Sequence, residues 1–273
     1  PHRTRDNMSM IMQRGLDLYI KQDGEWCFAQ SSRITPDPAV TEYKKLLVKR
    51  LPKEEKEFML YLPGWSEVKS LQIGIEEGAT IEGTPSPFRH KVVVYGSSIT
   101  HGACASRAGM TYTAIMSRNL GIDFVNFGFS GQCKMQPQFL EFLKSCEADA
   151  FVFDCFSNPD ANLIEERLFP FIERLQAAHP GKPLIFQQTI YREGRNFSQS
   201  VEAKESAKQA MAEKLMKEAV KKYKDVYFIQ TNATNEIHST SVDGIHPSDY
   251  GYTLWAESIR KPIVKILKKY GIR

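Results

Sequence analysis

The chain has 273 residues, 42% hydrophobic and 25% charged, and its 36 basic against 32 acidic side chains leave a net charge of +4. These are the proportions of an ordinary globular protein, which excludes a disordered or collagen-like chain, and the mild basic balance comes with no nucleic-acid-binding motif. No apolar run approaches the roughly 20 residues of a membrane-spanning helix, so a soluble chain with no membrane span is expected.

In chain order, the first part reads as short strands. Leu16, Leu18 and Ile20 alternate with polar residues, Asp23-Gly24 is a hairpin turn, and Trp26-Cys27-Phe28 begins the return strand. Phe58 to Leu62 is an apolar run stopped by Pro63-Gly64, and Val68, Leu71, Ile73 and Ile75 read as a further strand. Gly83-Thr84-Pro85-Ser86-Pro87 is a linker. The expected division is an N-terminal β domain over residues 1–87 and a second domain over residues 88–273.

After the linker, apolar strands alternate with helical stretches. The strands are Val92–Tyr95, Phe124–Phe127, Ala150–Phe153, Leu184–Phe186 and Val226–Ile229. Helices are expected over Thr113–Leu120, Phe139–Cys146, Leu163–Ala178, Val201–Tyr223 and Asp249–Lys269, the fourth with Ala203, Ala207, Ala210, Met211, Leu215 and Val220 near one face. The stretch Arg260–Lys269 reads as an amphipathic helix end, with Ile263, Val264, Ile266 and Leu267 inside and its lysines solvated. Five βα alternations imply a parallel sheet covered on both faces, whose ligands bind at the carboxyl ends of the strands.

The loops at those ends hold the candidate chemistry. Gly96-Ser97-Ser98-Ile99-Thr100 puts a serine just beyond the first buried strand, where it is a nucleophile only if a base adjoins it. Asp243-Gly244-Ile245-His246-Pro247 supplies such a base: a turn with this spacing lets the carboxylate hold Nδ1–H and leaves Nε2 facing the serine. Gly131 and Asn158, after the next two strands, offer a backbone and a side-chain amide to an oxyanion, together with the Ser98 N–H. Taken singly, each of these is an ordinary loop residue; the combination on successive strand ends points to acyl transfer. His101 either lines the acyl pocket or caps a turn, Trp26 and Trp65 either stack on a sugar or pack locally, and His238 is solvated. No metal-ligand spacing, phosphate loop or dinucleotide loop is present, so neither metal nor cofactor is expected. Cys27, Cys104, Cys133, Cys146 and Cys155 make an odd set without C-x-x-C; most read as small buried side chains, with one disulfide left open. The chain starts at Pro1 with no charged-then-apolar leader, as a processed or trimmed product does.

The Gly96–Thr100 block, Gly131, Asn158 and the Asp243/His246 pair resemble, in that order, the four blocks of the SGNH (GDSL-like) hydrolase superfamily. The match spans about Lys91 to Arg273. Gly15-Leu16-Asp17-Leu18-Tyr19 is similar to the G-x-D-L-Y motif of a β domain that precedes esterases of this superfamily. The resemblance implies a three-layer α/β/α, flavodoxin-like five-stranded fold behind a smaller β-sandwich or jelly-roll-like domain. It implies Ser98 as nucleophile, His246 as base, Asp243 as its orienting partner, and Ser98, Gly131 and Asn158 as the oxyanion hole. Two blocks depart from the pattern: Ser97 stands where Asp is usual before the serine, and Phe156 and Pro159 replace the Gly and Asp of G-x-N-D. By the same resemblance the expected activity is that of a serine esterase, foremost a carbohydrate O-acetylesterase acting on a glycan or small-molecule ester, in a periplasmic or secreted setting. The alternatives are a lipid or thioester hydrolase or an acyltransferase with the same triad, and a non-catalytic glycan-binding protein.

Overall fold

Asp23 and Gly24, with φ of 51° and 84°, make the tight turn that a hairpin needs. They join β1 (Asp17–Gln22) to β2 (Glu25–Ser31), and β3 (Phe58–Tyr61) pairs antiparallel with the other edge of β1. This computed structural model describes residues 5–35, 37, 39–231, 234 and 238–273; Pro1 lies outside them. The N-terminal part is therefore a three-stranded antiparallel sheet in the order β2-β1-β3, preceded by a short helix, α1 (Met10–Arg14). No strand among the described residues forms a second layer over it. The stretch 68–75 carries no strand, and its Leu71, Ile73 and Ile75 are exposed. Alternating side chains make a strand only where a neighbouring edge accepts the backbone hydrogen bonds, and this segment has found none.

The motif around Asp17 fastens this sheet to the rest of the chain. Asp17 is buried and its Oδ2 accepts the Gly109 N–H at 2.8 Å, with the Arg107 guanidinium at 3.5 Å. Arg107 donates to the Tyr19 hydroxyl at 2.5 Å, and Arg118 lies over the Tyr19 ring while donating to the Tyr61 hydroxyl at 3.0 Å. Burial pushes the Asp17 carboxyl up, against the pull of the Gly109 N–H and Arg107.

The second part is a five-stranded, all-parallel sheet: β4 (Lys91–Gly96), β5 (Asp123–Gly128), β6 (Ala150–Asp154), β7 (Leu184–Gln187) and β8 (Val226–Ile229), in the order β5-β4-β6-β7-β8. The period-2 alternation of a strand sends Val92, Val94, Val152 and Ile185 to one face, under α3 (Tyr112–Leu120) and α7 (Asp249–Leu267). Val93, Tyr95, Phe151, Phe153 and Phe186 point to the other face, under α4 (Pro137–Lys144), α5 (Ala161–Ala178) and α6 (Gln199–Lys222). Both faces being covered explains why these strands are apolar throughout. The end of α7 packs as its pattern implies, with Ile263, Ile266 and Leu267 buried and Val264 half-buried. The face of α6 is a correction: Ala203, Ala207, Ala210 and Val220 are exposed, and the buried row is Glu205, Lys208, Ala212, Leu215, Met216 and Ala219. Two charged residues lie inside because they pair with each other at 2.7 Å. All five cysteines are free, with Cys104, Cys133 and Cys155 buried. No helix of the described residues is long and apolar enough to cross a membrane.

Candidate active site

Chain order reverses across the sheet between β4 and β6, whose neighbours lie on opposite sides, and the loops leaving these strands form the crevice expected at such a switch point. Beyond β4 the chain turns at once into α2 (Ser98–His101). A Cβ at Gly96 would lie 1.9 Å from Thr100 Oγ1, and one at Gly128 would lie 2.0 Å from the His101 nitrogen, so the turn fits only over bare backbone. Ser97 caps α2 by accepting the Ile99 N–H at 3.1 Å. Its hydroxyl in turn donates to Asp154 Oδ2, at the end of β6, at 2.7 Å. That carboxylate also accepts from Thr100 Oγ1 at 2.9 Å and from Ser157 Oγ at 3.2 Å. The serine before Ser98 thus draws on a carboxylate from the neighbouring strand. Burial raises the Asp154 pKa, and the converging hydroxyls act against that rise.

Ser98 is 8% exposed, and its Oγ lies 2.9 Å from His246 Nε2. On the other side of the ring, Nδ1 lies 2.8 Å from Asp243 Oδ2. Asp243 Oδ1 accepts the backbone N–H of Ile245 at 3.0 Å and of His246 at 2.8 Å, and Oδ2 takes a further hydrogen bond from Asn7 Nδ2 at 2.8 Å. Partial burial pushes the Asp243 carboxyl up, but the donors from His246 and Asn7 outweigh it and hold the group well below the usual carboxylate range. An ionised carboxylate only accepts, so Nδ1 carries the ring proton and Nε2 offers its lone pair to the Ser98 hydroxyl. The structure brings Ser98, Asp243 and His246 into one hydrogen-bonded line.

Gly131 sits in an exposed turn with φ of 73°. Asn158 is fixed by its Oδ1, which accepts the Cys133 N–H at 3.1 Å, so its Nδ2 is the end available to a ligand. Two sequential residues that the sequence did not single out tie these loops together. Arg192 donates to the Ser157 carbonyl at 2.8 Å, beside Asn158, and to Glu205 at 2.9 Å. Glu193 accepts from the backbone and hydroxyl of both Thr240 and Ser241, at 2.5 to 3.2 Å, at the base of the Asp243–His246 turn. Lys208 adds a second donor to the Ser157 carbonyl, at 3.1 Å; burial first, and the Arg192 charge second, pull its pKa down to about 8. No local pattern marks their hold on these loops, because the loop groups they bond lie 35 to 51 positions away.

His101 stacks on Trp65 at 3.5 Å and its Nε2–H donates to the Gly64 carbonyl at 2.8 Å, so it packs against the N-terminal part. Burial pushes its imidazole pKa down. Trp26 lies under Lys21, and His238 Nδ1 receives Asn196 Nδ2 at 3.0 Å. Beside the base loop a cleft of about 640 Å³ is lined by Glu193, Asn196, Phe197, His238, Ser241 and two glycines, with the Phe197 ring 99% exposed. Among the described residues, the Cys104 thiol also comes close to the Asp243–His246 pair, its Sγ, a carboxylate oxygen of Asp243 and a ring nitrogen of His246 lying within 4.8 Å of one another. The spacing of the sequence conceals it, since Cys104 and Asp243 are 139 positions apart.

Comparison with known proteins places this geometry in context. Residues 89–265 match the model of the GDSL-like lipase/acylhydrolase family, and residues 2–81 match that of the N-terminus of SGNH-hydrolase-type esterases. A solved structure named as a GDSL-like lipase from Bacteroides ovatus is 40% identical, with a TM-score of 0.92 over 98% of this chain and 79% of its own. A salicylyl-acyltransferase from a tetracycline biosynthetic pathway shares the fold at 19% identity and a TM-score of 0.71, over 99% of this chain and 78% of that one. A family two carbohydrate esterase from Cellvibrio japonicus does so at 12% identity and a TM-score of 0.63, over 96% and 84%. A search of curated proteins gives no match.

Proposed function

The chain belongs to the GDSL-like lipase/acylhydrolase family of ester hydrolases, and from that premise we propose that it is a serine esterase working through an acyl-enzyme, with acetylated carbohydrate as its substrate class. The observation that carries this reading is the 2.9 Å contact between Ser98 Oγ and His246 Nε2, continued at 2.8 Å to Asp243. Ser98 Oγ attacks the ester carbonyl while its proton passes to Nε2, and Asp243 stabilises the imidazolium so formed. The negative charge on the former carbonyl oxygen is met by the N–H groups of Ser98 and Gly131 and by Asn158 Nδ2, donors of a kind worth about 10²–10³ in rate each. As the ester C–O bond breaks, His246 returns the proton to the leaving alcohol. Water then enters by the same base and releases the acid.

Support for a sugar as the alcohol part comes from the cleft beside the Asp243–His246 loop, where Asn196, His238 and Ser241 lie with an exposed Phe197 ring, a combination that suits a hydroxylated ring stacked on an aromatic face. Carbohydrate esterases among the structural neighbours support it as well. The acyltransferase neighbour favours a second reading, transfer of the acyl group to an alcohol other than water at the same serine. The division into residues 1–87 and 88–273 is part of this proposal, supported by family matches that end at 81 and resume at 89.

The test is Ser98→Ala. It keeps the fold and lowers p-nitrophenyl acetate hydrolysis by several orders of magnitude, and peptide mapping after a fluorophosphonate probe places the label on Ser98 in the unaltered protein. Unchanged turnover by Ser98→Ala refutes the mechanism. Faster release from acetylated sugars than from long-chain or acyl-CoA esters supports the substrate class, and the reverse order overturns it.

A further inference from the structure

The N-terminal segment ahead of the β sheet is built to put one side chain into the catalytic line. Gln13 is buried, and its amide is fully used on residues 5 to 8: Oε1 accepts the Arg5 N–H at 2.9 Å, and Nε2 donates to the carbonyls of Arg5 and Met8 at 3.1 and 2.9 Å. Ser9 caps α1 through the Met12 N–H and donates to the Ser106 carbonyl at 2.5 Å. Met8 packs with Ala103, Cys104 and Trp65, and Arg5 lies over Trp65. This hydrogen-bonded loop brings Asn7 Nδ2 to Asp243 Oδ2 at 2.8 Å, across 236 positions of sequence.

We propose that Asn7 is a positioning residue of the active site, which the N-terminal segment supplies to fix Asp243 against His246. The inference rests on the reading of Asp243 and His246 given above. Asp243 Oδ2 bonds both His246 Nδ1 and Asn7, so the two donors share one oxygen. Removing Asn7 leaves that oxygen more basic, which strengthens its hold on the imidazolium and raises the pH at which His246 gives up its proton. A carboxylate at position 7 raises it further, as a second negative charge within reach of the ring. The other charged or titratable groups facing the pair are Cys104, whose thiol lies 3.9 Å from Asp243 Oδ2 and is pushed up to about 12 by burial; Tyr252, buried and donating to the Ala103 carbonyl; and Glu193, held on Thr240 and Ser241. None of these three donates to Oδ2 with the strength of an amide at 2.8 Å.

The experiment uses the full chain with Asn7→Leu and Asn7→Asp, read in two ways. In the Ser98→Ala background, which removes turnover from the measurement, the His246 ring is titrated by NMR. The expected result is a midpoint shifted upward in Asn7→Leu and by about one pH unit more in Asn7→Asp. With Ser98 in place, kcat falls about tenfold in Asn7→Leu while KM stays within twofold, and the acid limb of kcat/KM follows the NMR midpoint. A merely structural role lowers thermal stability without moving that midpoint. Superposable titrations and equal kcat in all three proteins overturn the role of Asn7. If Ser98→Ala instead keeps full activity, it is the triad reading that falls.

Discussion

Buried ion pairs and exposed aliphatic surface are shared unequally between the two parts of this molecule. In the α/β part the interior holds ionic and polar side chains, Asp154, Glu205, Lys208 and Gln187, all under 5% exposed. In the N-terminal part the exterior holds apolar ones, Leu62, Leu71, Ile73, Ile75 and Ile81. The difference follows from the number of layers. A sheet covered on both faces buries enough apolar area to carry a few charged groups, provided each has partners, and it has a true inside where such groups can fix loops. A single three-stranded sheet with one docked face has little inside, and its remaining apolar residues stay on the surface. The charges within the α/β part are spent on geometry: Arg192 and Lys208 converge on the Ser157 carbonyl next to Asn158, with Glu205 bonding both.

The sharpest way to break that comparison is Glu205→Leu. It leaves the buried Lys208 and the half-buried Arg192 without this counter-charge, and removing one partner of a buried ion pair costs about 3–5 kcal/mol. Urea unfolding followed by tryptophan fluorescence measures it. A loss below about 1 kcal/mol would mean that these cations are solvated and that the interior of the α/β part is less dry than its exposure values imply.

The same contrast governs what could be read from the sequence. Strands β4 to β8 were legible because burial on both faces makes them apolar without a break; of the four blocks proposed as catalytic, three stood out because they follow such a strand and the fourth because it stands just before α7. The buried face of α6 was not legible. Periodicity assigns apolar residues to the inside, and here the positions facing inward at its N-terminal half are Glu205 and Lys208, whose burial depends on Arg192 and the Ser157 carbonyl in distant loops. Asp154, Glu193 and Asn7 escaped for the same reason, since each acts through a partner that only the folded chain brings near. The stretch 68–75 errs in the opposite direction: its alternation is that of a strand, yet a strand is a property of two edges, and the pattern of one segment does not reveal whether a second edge is present.

A smaller effect is expected where the two parts meet. Asp17 is the buried contact of the N-terminal sheet with Gly109 and Arg107. Asp17→Ala removes the acceptor and leaves the Gly109 N–H unpaired, a loss of about 2 kcal/mol for a hydrogen-bonded charged group. Limited proteolysis gives the sharper reading: cleavage within residues 5–16 accelerates, because that segment is held in place through the docked sheet, while the five parallel strands stay protected. Equal acceleration in both parts would show that they unfold as one cooperative unit.

The smallest effect is expected at Ile73. Truncating a fully buried isoleucine to alanine costs about 2–5 kcal/mol, from lost transfer energy and the cavity left behind. Ile73 is 59% exposed and pairs with no strand, so Ile73→Ala removes mostly hydrated surface and leaves no cavity. A change within about 0.5 kcal/mol is expected, measured by urea unfolding of the full chain, together with unaltered esterase activity. A loss above about 2 kcal/mol would mean that this side chain is covered in solution. The exposed stripe of the N-terminal part would then be a buried face, and the contrast between the two parts would disappear.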